Sequence, residues 1–212
     1  MDEIAHKIFD ISLKKQGQII IAISGHGASG KTTFAQKLQS LFREEKINHF
    51  NTDAYIINPK LRKCTIINYT YRGEKYRYKM TACHPEAHNI LVLERDLKML
   101  KNGLNFYTIE TPYAASKMIY SHRKITIVEG MSLSFVDPGL LDIKIYFYTD
   151  GKTELSRRNN RDVIQRGKDR NFIQQSHEQR RVQYKLYMHP KSKNFDFIIR
   201  DSNRGYVIEQ EP

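Results

Sequence analysis

The chain has 212 residues, of which 40% are hydrophobic, and its formal net charge is +12 at pH 7. This length suits one α/β domain with its own core, and no segment is apolar over the roughly 20 residues that a membrane span needs. The two cysteines, Cys64 and Cys83, form no disulfide framework and no C-x-x-C zinc motif. The first residues lack a signal-peptide pattern, so we expect a cytoplasmic protein with no membrane partner. The basic excess indicates anionic partners such as nucleotides.

The hydrophobic pattern predicts strands that alternate with helices. In chain order, the predicted elements are a helix over 2–15, a strand over 18–24, a helix over 31–45, a strand over 47–52, a helix over 85–102, strands over 125–128 and 143–148, a basic helical region over 152–187, and closing strands over 195–199 and 206–208. Segment 56–83 is irregular, with a turn at Arg72-Gly73-Glu74 between two short strands. The alternation predicts an α/β fold with a mostly parallel sheet that is flanked by helices and binds ligands at the carboxyl ends of its strands.

The segment after the first predicted strand matches two nucleotide-binding patterns. Gly25, Gly27 and Gly30 form the G-x-G-x-x-G of dinucleotide sites, and the same stretch also forms the G-x-x-x-x-G-K-T of a P-loop. Lys31 and Thr32 favour the P-loop, because a triphosphate with its magnesium needs a cation on the phosphates and a hydroxyl on the metal. The predicted ATP-binding residues of this loop are Gly25, Gly27, Ala28, Ser29, Gly30, Lys31, Thr32 and Thr33.

Two carboxylates follow later strands and are therefore expected near the same loop. Glu129 ends the strand Ile125 to Val128 and is predicted, with Thr32, to hold Mg²⁺. Asp53 follows the 47–52 strand and is a candidate general base that accepts the proton of an attacking hydroxyl. An N-cap for the following segment explains Asp53 equally well from the pattern alone.

An arginine-rich segment follows the 143–148 strand and predicts a lid. Arg158, Arg161 and Arg166 are candidates to close over the phosphates and to stabilise charge in the transition state. The alternative is a solvated basic helix face, which is the commoner fate of such runs. The basic and aromatic strip 69–79 suits either base stacking or a half-exposed strand.

Several short motifs in order make the chain similar to the uridine kinase and phosphoribulokinase family of P-loop kinases. The resemblance runs from about residue 19 to about residue 200. The motifs that carry it are the loop Gly25–Thr33, Asp53-Ala54-Tyr55, His84-Pro85-Glu86-Ala87, Thr111-Pro112-Tyr113, Val128-Glu129-Gly130, and Arg157-Arg158-x-x-Arg161-Asp162 with Arg166-Gly167-Lys168-Asp169. The last of these resembles the family's lid pattern R-R-x-x-R-D-x-x-x-R-G-R-D.

The resemblance implies one P-loop kinase domain over 1–212, with an acceptor-binding insertion over about 54–83 and a lid over about 152–180. It implies that Asp53 activates a ribose hydroxyl and that Lys31, Arg158 and Arg161 assist catalysis. It places further residues on the acceptor or on the donor phosphates: Tyr55, His84, Tyr113 and Arg158 on the acceptor, Arg161 and Arg166 on the phosphates. Three departures from the family pattern bear on specificity: Cys83, Ala114 and Lys168.

The leading hypothesis is therefore a Mg²⁺-dependent kinase that transfers the γ-phosphoryl group of ATP or GTP to a small-molecule hydroxyl, with uridine or cytidine as the first acceptors to try. Pantothenate-like alcohols and sugar phosphates remain open as acceptors. A second hypothesis is a nucleotide-dependent regulatory protein that binds RNA, although nucleic acid is not the expected partner. A third, an oxidoreductase, rests on the three loop glycines alone. Homo-oligomerisation is left open.

Overall fold

The computed structural model describes residues 1–43, 46–111, 115–165, 167, 169–203 and 205–212, without the side chains of residues 164 and 165. Its strands are β1 (Ile19–Gly25), β2 (Ile47–Asn51), β3 (Ile66–Tyr71), β4 (Glu74–Lys79), β5 (Phe106–Tyr107), β6 (Met118–Ile119), β7 (Ile125–Glu129), β8 (Ile143–Tyr148), β9 (Phe197–Ser202) and β10 (Gly205–Gln210). Its α-helices are α1 (Asp2–Lys14), α2 (Lys31–Gln39), α3 (Pro59–Cys64), α4 (Ile90–Lys101), α5 (Gly151–Arg158) and α6 (Arg170–Gln183). Stretches with π-helical geometry, Asn159–Gln165 and Tyr184–Met188, follow α5 and α6.

A six-stranded sheet forms the centre of the molecule, in the order β10-β9-β8-β1-β7-β2. Five of these strands run parallel, and β10 pairs antiparallel with β9. Strand β1 lies in the middle and is buried along its whole length, which explains its continuous apolar sequence. The predicted mostly parallel sheet is confirmed.

The alternation of side chains along β1 divides the core into two layers. Ile19, Ile21 and Ile23 pack in one cluster with residues of α1 and α2. Ile20 and Ala22 face the opposite side and pack with residues of α4. Each fully buried isoleucine contributes roughly 2 kcal/mol through the apolar area removed from water. These layers hold the carboxyl ends of the parallel strands at one edge.

Strands β3 and β4 form a separate antiparallel hairpin, as predicted for segment 56–83. Arg72 and Gly73 both have positive φ angles, 53° and 83°, which is the geometry of the two-residue turns that join right-handed twisted strands. The hairpin packs against α6, where the Tyr69 hydroxyl donates to Oε1 of Gln179 at 2.7 Å. Helix α3 and the short β5–β6 pair are additions that the hydrophobic pattern did not predict.

Two predicted helices are shorter than expected. The helix predicted over 85–102 begins only at Ile90, because Pro85–Ala87 forms a separate 3-10 turn and His88 makes an isolated bridge with Ile56. The helix predicted over 31–45 ends at Gln39, beyond which the backbone tightens into i to i−3 hydrogen bonds. In the described part of the chain, no helix has both the length and the apolar character to cross a membrane.

Candidate active site

A cavity of about 1150 Å³ lies at the carboxyl edge of the sheet, between the predicted P-loop and the arginine-rich segment. The loop after β1 forms its floor, and residues after β2 and β7 form one wall. Residues of α5, the following π-helical stretch and α6 form the other wall. Nine of the lining residues carry charged side chains: Lys31, Asp53, Arg62, Arg157, Arg158, Arg161, Asp162, Arg180 and Asp201.

Glycine is required at two positions of the loop because the backbone leaves no room for a side chain. Gly25 has a φ of +132°, and a Cβ atom there would overlap the carbonyl oxygen of Phe147. Gly30 has a φ of +99°, precedes α2, and lies against the Asp201 carboxylate. The loop thus passes tightly over β8 and delivers the N-terminus of α2 to the cavity, an arrangement that suits phosphate binding.

Lys31 is held over this loop. It is 9% exposed, and its Nζ donates to the carbonyl oxygen of His26 at 2.8 Å. Burial lowers the pKa of the ammonium, while Asp53 and Glu129 act in the opposite direction. The cation is therefore positioned beside the loop and can transfer its hydrogen bonds to phosphate oxygens.

Thr32 and Glu129 lie together below the loop. The Thr32 hydroxyl donates to Oε2 of Glu129 at 2.8 Å, and Glu129 is 2% exposed at the end of β7. A hydroxyl and a carboxylate oxygen fit Mg²⁺, which favours hard oxygen ligands and completes its shell with water and substrate phosphates. Among the described residues, no cluster of three or more His, Cys, Asp or Glu side chains forms a protein-only metal site.

Asp53 follows β2 and lines the same cavity as Lys31, whose pKa its charge acts to raise. Its backbone N–H donates to Oδ1 of Asn51 at 2.6 Å, so Asn51, and not Asp53, caps the short 3-10 turn Thr52–Tyr55. The Asp53 side chain is exposed to the cavity and has no hydrogen-bond partner among the described residues. The N-cap interpretation of Asp53 is wrong, and the carboxylate is available to a ligand.

Two of the predicted lid arginines line the cavity. Arg158 is 6% exposed, with Nη1 at 3.8 Å from Glu154 and Nη2 at 3.6 Å from Asp162. Its Nε and Nη1 lack hydrogen-bond partners within the described residues, and burial lowers the pKa of the guanidinium to about 10. Arg161 donates from Nε to Oδ1 of Asp162 at 2.9 Å. The buried, partly unpaired guanidinium group of Arg158 suits an anionic ligand.

Two of the predicted acceptor-binding residues do not line the cavity. Tyr55 is fully buried and donates its hydroxyl to Oδ2 of Asp96 at 2.6 Å, so it belongs to the core. His84 accepts from the Glu86 N–H at 3.1 Å and packs edge-on against Tyr187. Cys83, the departure next to His84, is buried. The predicted residues Tyr113 and Arg166, with Ala114 and Lys168, lie outside the described residues.

The structure adds a loop residue that sequence reasoning missed. His26 is 1% exposed, and its Nε2 accepts from the Thr149 N–H at 3.0 Å. The ring proton therefore sits on Nδ1, which donates to the Gly27 carbonyl at 2.9 Å. Burial lowers the His26 pKa to about 4, so the ring is neutral and fastens the loop to the end of β8. The sequence feature that could have identified His26 is its position between two glycines of the loop, Gly25 and Gly27.

The comparisons with known proteins agree with this geometry. Residues 20–206 match the profile of the Phosphoribulokinase / Uridine kinase family. The chain belongs to this family of ATP-dependent small-molecule kinases. The predicted similarity to this family and the interpretation of the loop after β1 as a P-loop are thereby confirmed.

Individual relatives show how far the similarity extends. The chain is 29% identical over 198 residues to a uridine kinase of Clostridium perfringens, covering 89% of this chain and 90% of that protein. It is 27% identical to "Uridine kinase-like protein 5" of Arabidopsis thaliana, where 85% of this chain matches but spans only 38% of the plant protein. A solved phosphoribulokinase from Rhodobacter spheroides superposes with a TM-score of 0.61 at 18% identity, over 87% of this chain and 70% of that one. That likeness confirms the P-loop NTPase fold.

Proposed function

We propose that the chain is a Mg²⁺-dependent kinase that transfers the γ-phosphoryl group of ATP to a hydroxyl of a nucleoside, with uridine or cytidine as acceptor. One observation carries the proposal. Lys31 and Thr32 line the cavity, with the Thr32 hydroxyl bound to Glu129, and the unpaired Asp53 carboxylate lines the same cavity. In-line phosphoryl transfer requires that ligands of the donor phosphates and a proton acceptor for the attacking hydroxyl meet around one cavity.

The acceptor side of the cavity is formed by segment 51–62 and by residues after β7. Apolar side chains line it together with Asp53: Ile56, Ile57, Pro59 and Met131. Such a surface suits the flat, partly apolar face of a base, while Asp53 meets a hydroxyl. Asp53 would accept the proton as the acceptor oxygen attacks the γ-phosphorus.

The donor side neutralises charge. Backbone N–H groups at the start of α2 and the Lys31 ammonium would hold the phosphate oxygens. Arg158 and Arg161 would face the transferred group from the lid and stabilise the charge spread over its oxygens. Thr32 and Glu129 would hold Mg²⁺, which would supply positive charge to neutralise the donor phosphates. GTP is the alternative donor.

A sugar phosphate is the alternative acceptor, and one residue favours it. Arg62 lines the acceptor side from α3, and a guanidinium there suits a second phosphate better than a neutral base. Pantothenate-like alcohols form a third class without a specific contact in their favour.

The test is a panel of acceptors with ATP and with GTP, resolved by mass: uridine, cytidine, purine nucleosides, pantothenate and pentose phosphates. We expect uridine or cytidine monophosphate as product, with Mg²⁺ required. Phosphorylation of a pentose phosphate alone would replace the nucleoside by the sugar phosphate. If no acceptor is phosphorylated while ATP binding is intact, the proposed acceptor classes are wrong, and RNA titrated at several salt concentrations tests the regulatory alternative.

A further inference from the structure

Arg180 occupies a position over the phosphate-binding loop that none of the sequence motifs assigns. It lies near the end of α6, outside the arginine pattern of the predicted lid, and lines the same cavity as Lys31 and Asp53. Its Nη2 would lie 3.8 Å from a Cβ atom built on Gly27. The guanidinium therefore lies above the middle of the loop.

Arg180 also differs from the arginines around it in its partners. Arg157 is paired with Asp201 at 2.9 Å, and Arg181 donates to Glu154 at 3.0 Å and to the Thr149 carbonyl. Within the residues that the structure describes, Arg180 makes no hydrogen bond and no ion pair, and its Nε is buried without a partner. A half-buried guanidinium without hydrogen-bond partners is costly unless a ligand completes it.

Glu154 shows why Arg180 is held in place although it is unpaired. This carboxylate is 3% exposed, and its charge acts on Arg158, Arg180 and Arg181 together. The closest contact of Glu154 is with Arg181 at 3.0 Å. The charge of Glu154 therefore attracts Arg180 without a hydrogen bond between the two side chains. The neighbouring arginines thus have different tasks: Arg181 fixes α6 to the end of β8, and Arg180 faces the loop.

We propose that Arg180 is a phosphate-binding residue that contacts the γ-phosphoryl group of the donor. The inference rests on the proposed kinase function. During transfer, the bond between the γ-phosphorus and the β–γ bridging oxygen breaks, a bond to the acceptor oxygen forms, and the hydroxyl proton passes to Asp53. Arg180 exchanges no proton; it donates hydrogen bonds to oxygens whose charge shifts during this step, as a planar guanidinium does well.

The experiment compares the affinities of ATP and ADP in Mg²⁺ by calorimetry, which needs no acceptor. We expect Arg180→Gln to weaken ATP binding about tenfold while ADP binding changes less than twofold, because only ATP carries the γ-phosphoryl group. Arg180→Lys keeps the positive charge but loses the paired N–H donors of the guanidinium, so we expect the affinity for ATP to fall about threefold. Arg170→Gln, an exposed arginine on the same helix, is the matched control.

Equal losses for ATP and ADP, or no loss for ATP, would overturn the role of Arg180. If Arg180→Gln melts at a much lower temperature than the wild type, the test uses Arg180→Lys instead. The ratio of its ATP and ADP affinities then shows whether Arg180 contacts the γ-phosphoryl group. Failure of the wild-type chain to bind ATP would overturn the proposed function itself. An unchanged ratio of ATP and ADP affinities in an Arg180 variant that still binds ATP would overturn only the role of Arg180.

Discussion

Asp53 and Glu129 end neighbouring parallel strands and differ in their surroundings. Glu129 is almost fully buried and already accepts a hydrogen bond from Thr32. Asp53 is open to the cavity, and its neighbour Asn51 has taken over the capping of the turn. Burial beside a hydroxyl suits a cation ligand, whereas an open carboxylate suits proton transfer. Their different surroundings thus suit the two carboxylates to different roles, cation binding for Glu129 and proton transfer for Asp53.

Replacing Asp53 by Asn tests its role as general base. The amide keeps the shape but accepts a proton poorly, so we expect kcat to fall at least 100-fold. The affinity for ATP should change less than twofold, because the proposed function places Asp53 on the acceptor. Asp10→Asn, on the exposed side of α1, is the control. Wild-type turnover in Asp53→Asn would remove Asp53 as base.

Replacing Glu129 by Gln tests the magnesium site. The variant loses the carboxylate charge at the cation, so we expect the Mg²⁺ concentration for half-maximal activity to rise roughly tenfold. A titration of Mg²⁺ at saturating ATP measures it, with the exposed Glu3→Gln as control. An unchanged Mg²⁺ requirement would show that Glu129 does not act on the metal.

At the scale of elements, Glu154 connects α5 to α6 and to the phosphate-binding loop. It lies on α5 and accepts from Arg181 of α6 at 3.0 Å. Its oxygens also lie 3.7 Å from His26 of the loop and 3.8 Å from Arg158. Burial acts to raise the Glu154 pKa, but His26 and the arginines hold it below its ordinary value. One buried carboxylate therefore connects α5, α6 and the phosphate-binding loop.

Glu154→Gln should consequently destabilise the protein by about 3 kcal/mol, because it leaves buried guanidinium groups without their counter-charge. Urea unfolding at pH 7.5 measures the change, and the exposed Glu178→Gln on α6 serves as comparison. A loss below about 0.5 kcal/mol, as is usual for surface substitutions, would contradict the connecting role of Glu154.

At the scale of the whole molecule, stability should depend on pH through buried histidines. His88 is 7% exposed, donates from Nε2 to the Ala82 carbonyl at 3.0 Å, and accepts at Nδ1 from Ser132. Burial lowers its pKa to about 4. Because the unfolded chain binds this proton first, the contribution of His88 is complete above pH 6.5 and is lost as the pH falls towards 4.

The free energy of unfolding should therefore fall by about 3 kcal/mol through His88 alone between pH 7.5 and pH 4. Urea titrations at a series of pH values in this range give the free energy of unfolding as a function of pH. The slope of this dependence should be smaller for His88→Gln than for the wild type, by the equivalent of up to one bound proton. The exposed His122→Asn should keep the wild-type slope. Equal slopes for all three proteins would mean that His88 is protonated in the folded state.

The sequence predicted those parts of the fold that depend on local patterns. The Ile19 to Ile23 run predicted a buried strand, and the glycine spacing after it predicted the loop. The ends of helices were predicted less well, because Pro85 starts a short turn whose continuation is decided by the bridge between Ile56 and His88. Tertiary contacts set such boundaries, and a single sequence does not contain them.

The site was predicted where residues follow strands and missed where they come from distant elements. Asp53, Glu129 and Lys31 meet at the carboxyl edge because parallel strands end there. Arg180 reaches the same place through the packing of α6, which has no short motif, whereas His26 lies within the loop motif and its role follows from its burial. Tyr55 shows the reverse error, since it follows Asp53 directly and yet turns into the core.

The contact between Gly30 and Asp201 joins the phosphate-binding loop to β9. Asp201 belongs to β9, which pairs with β10, and its carboxylate fills the space that a side chain at Gly30 would need. A donor that orders the loop would therefore also order the terminal hairpin. A fluorophore at Val207, which is exposed on β10, would then report occupancy of the loop without obstructing the cavity.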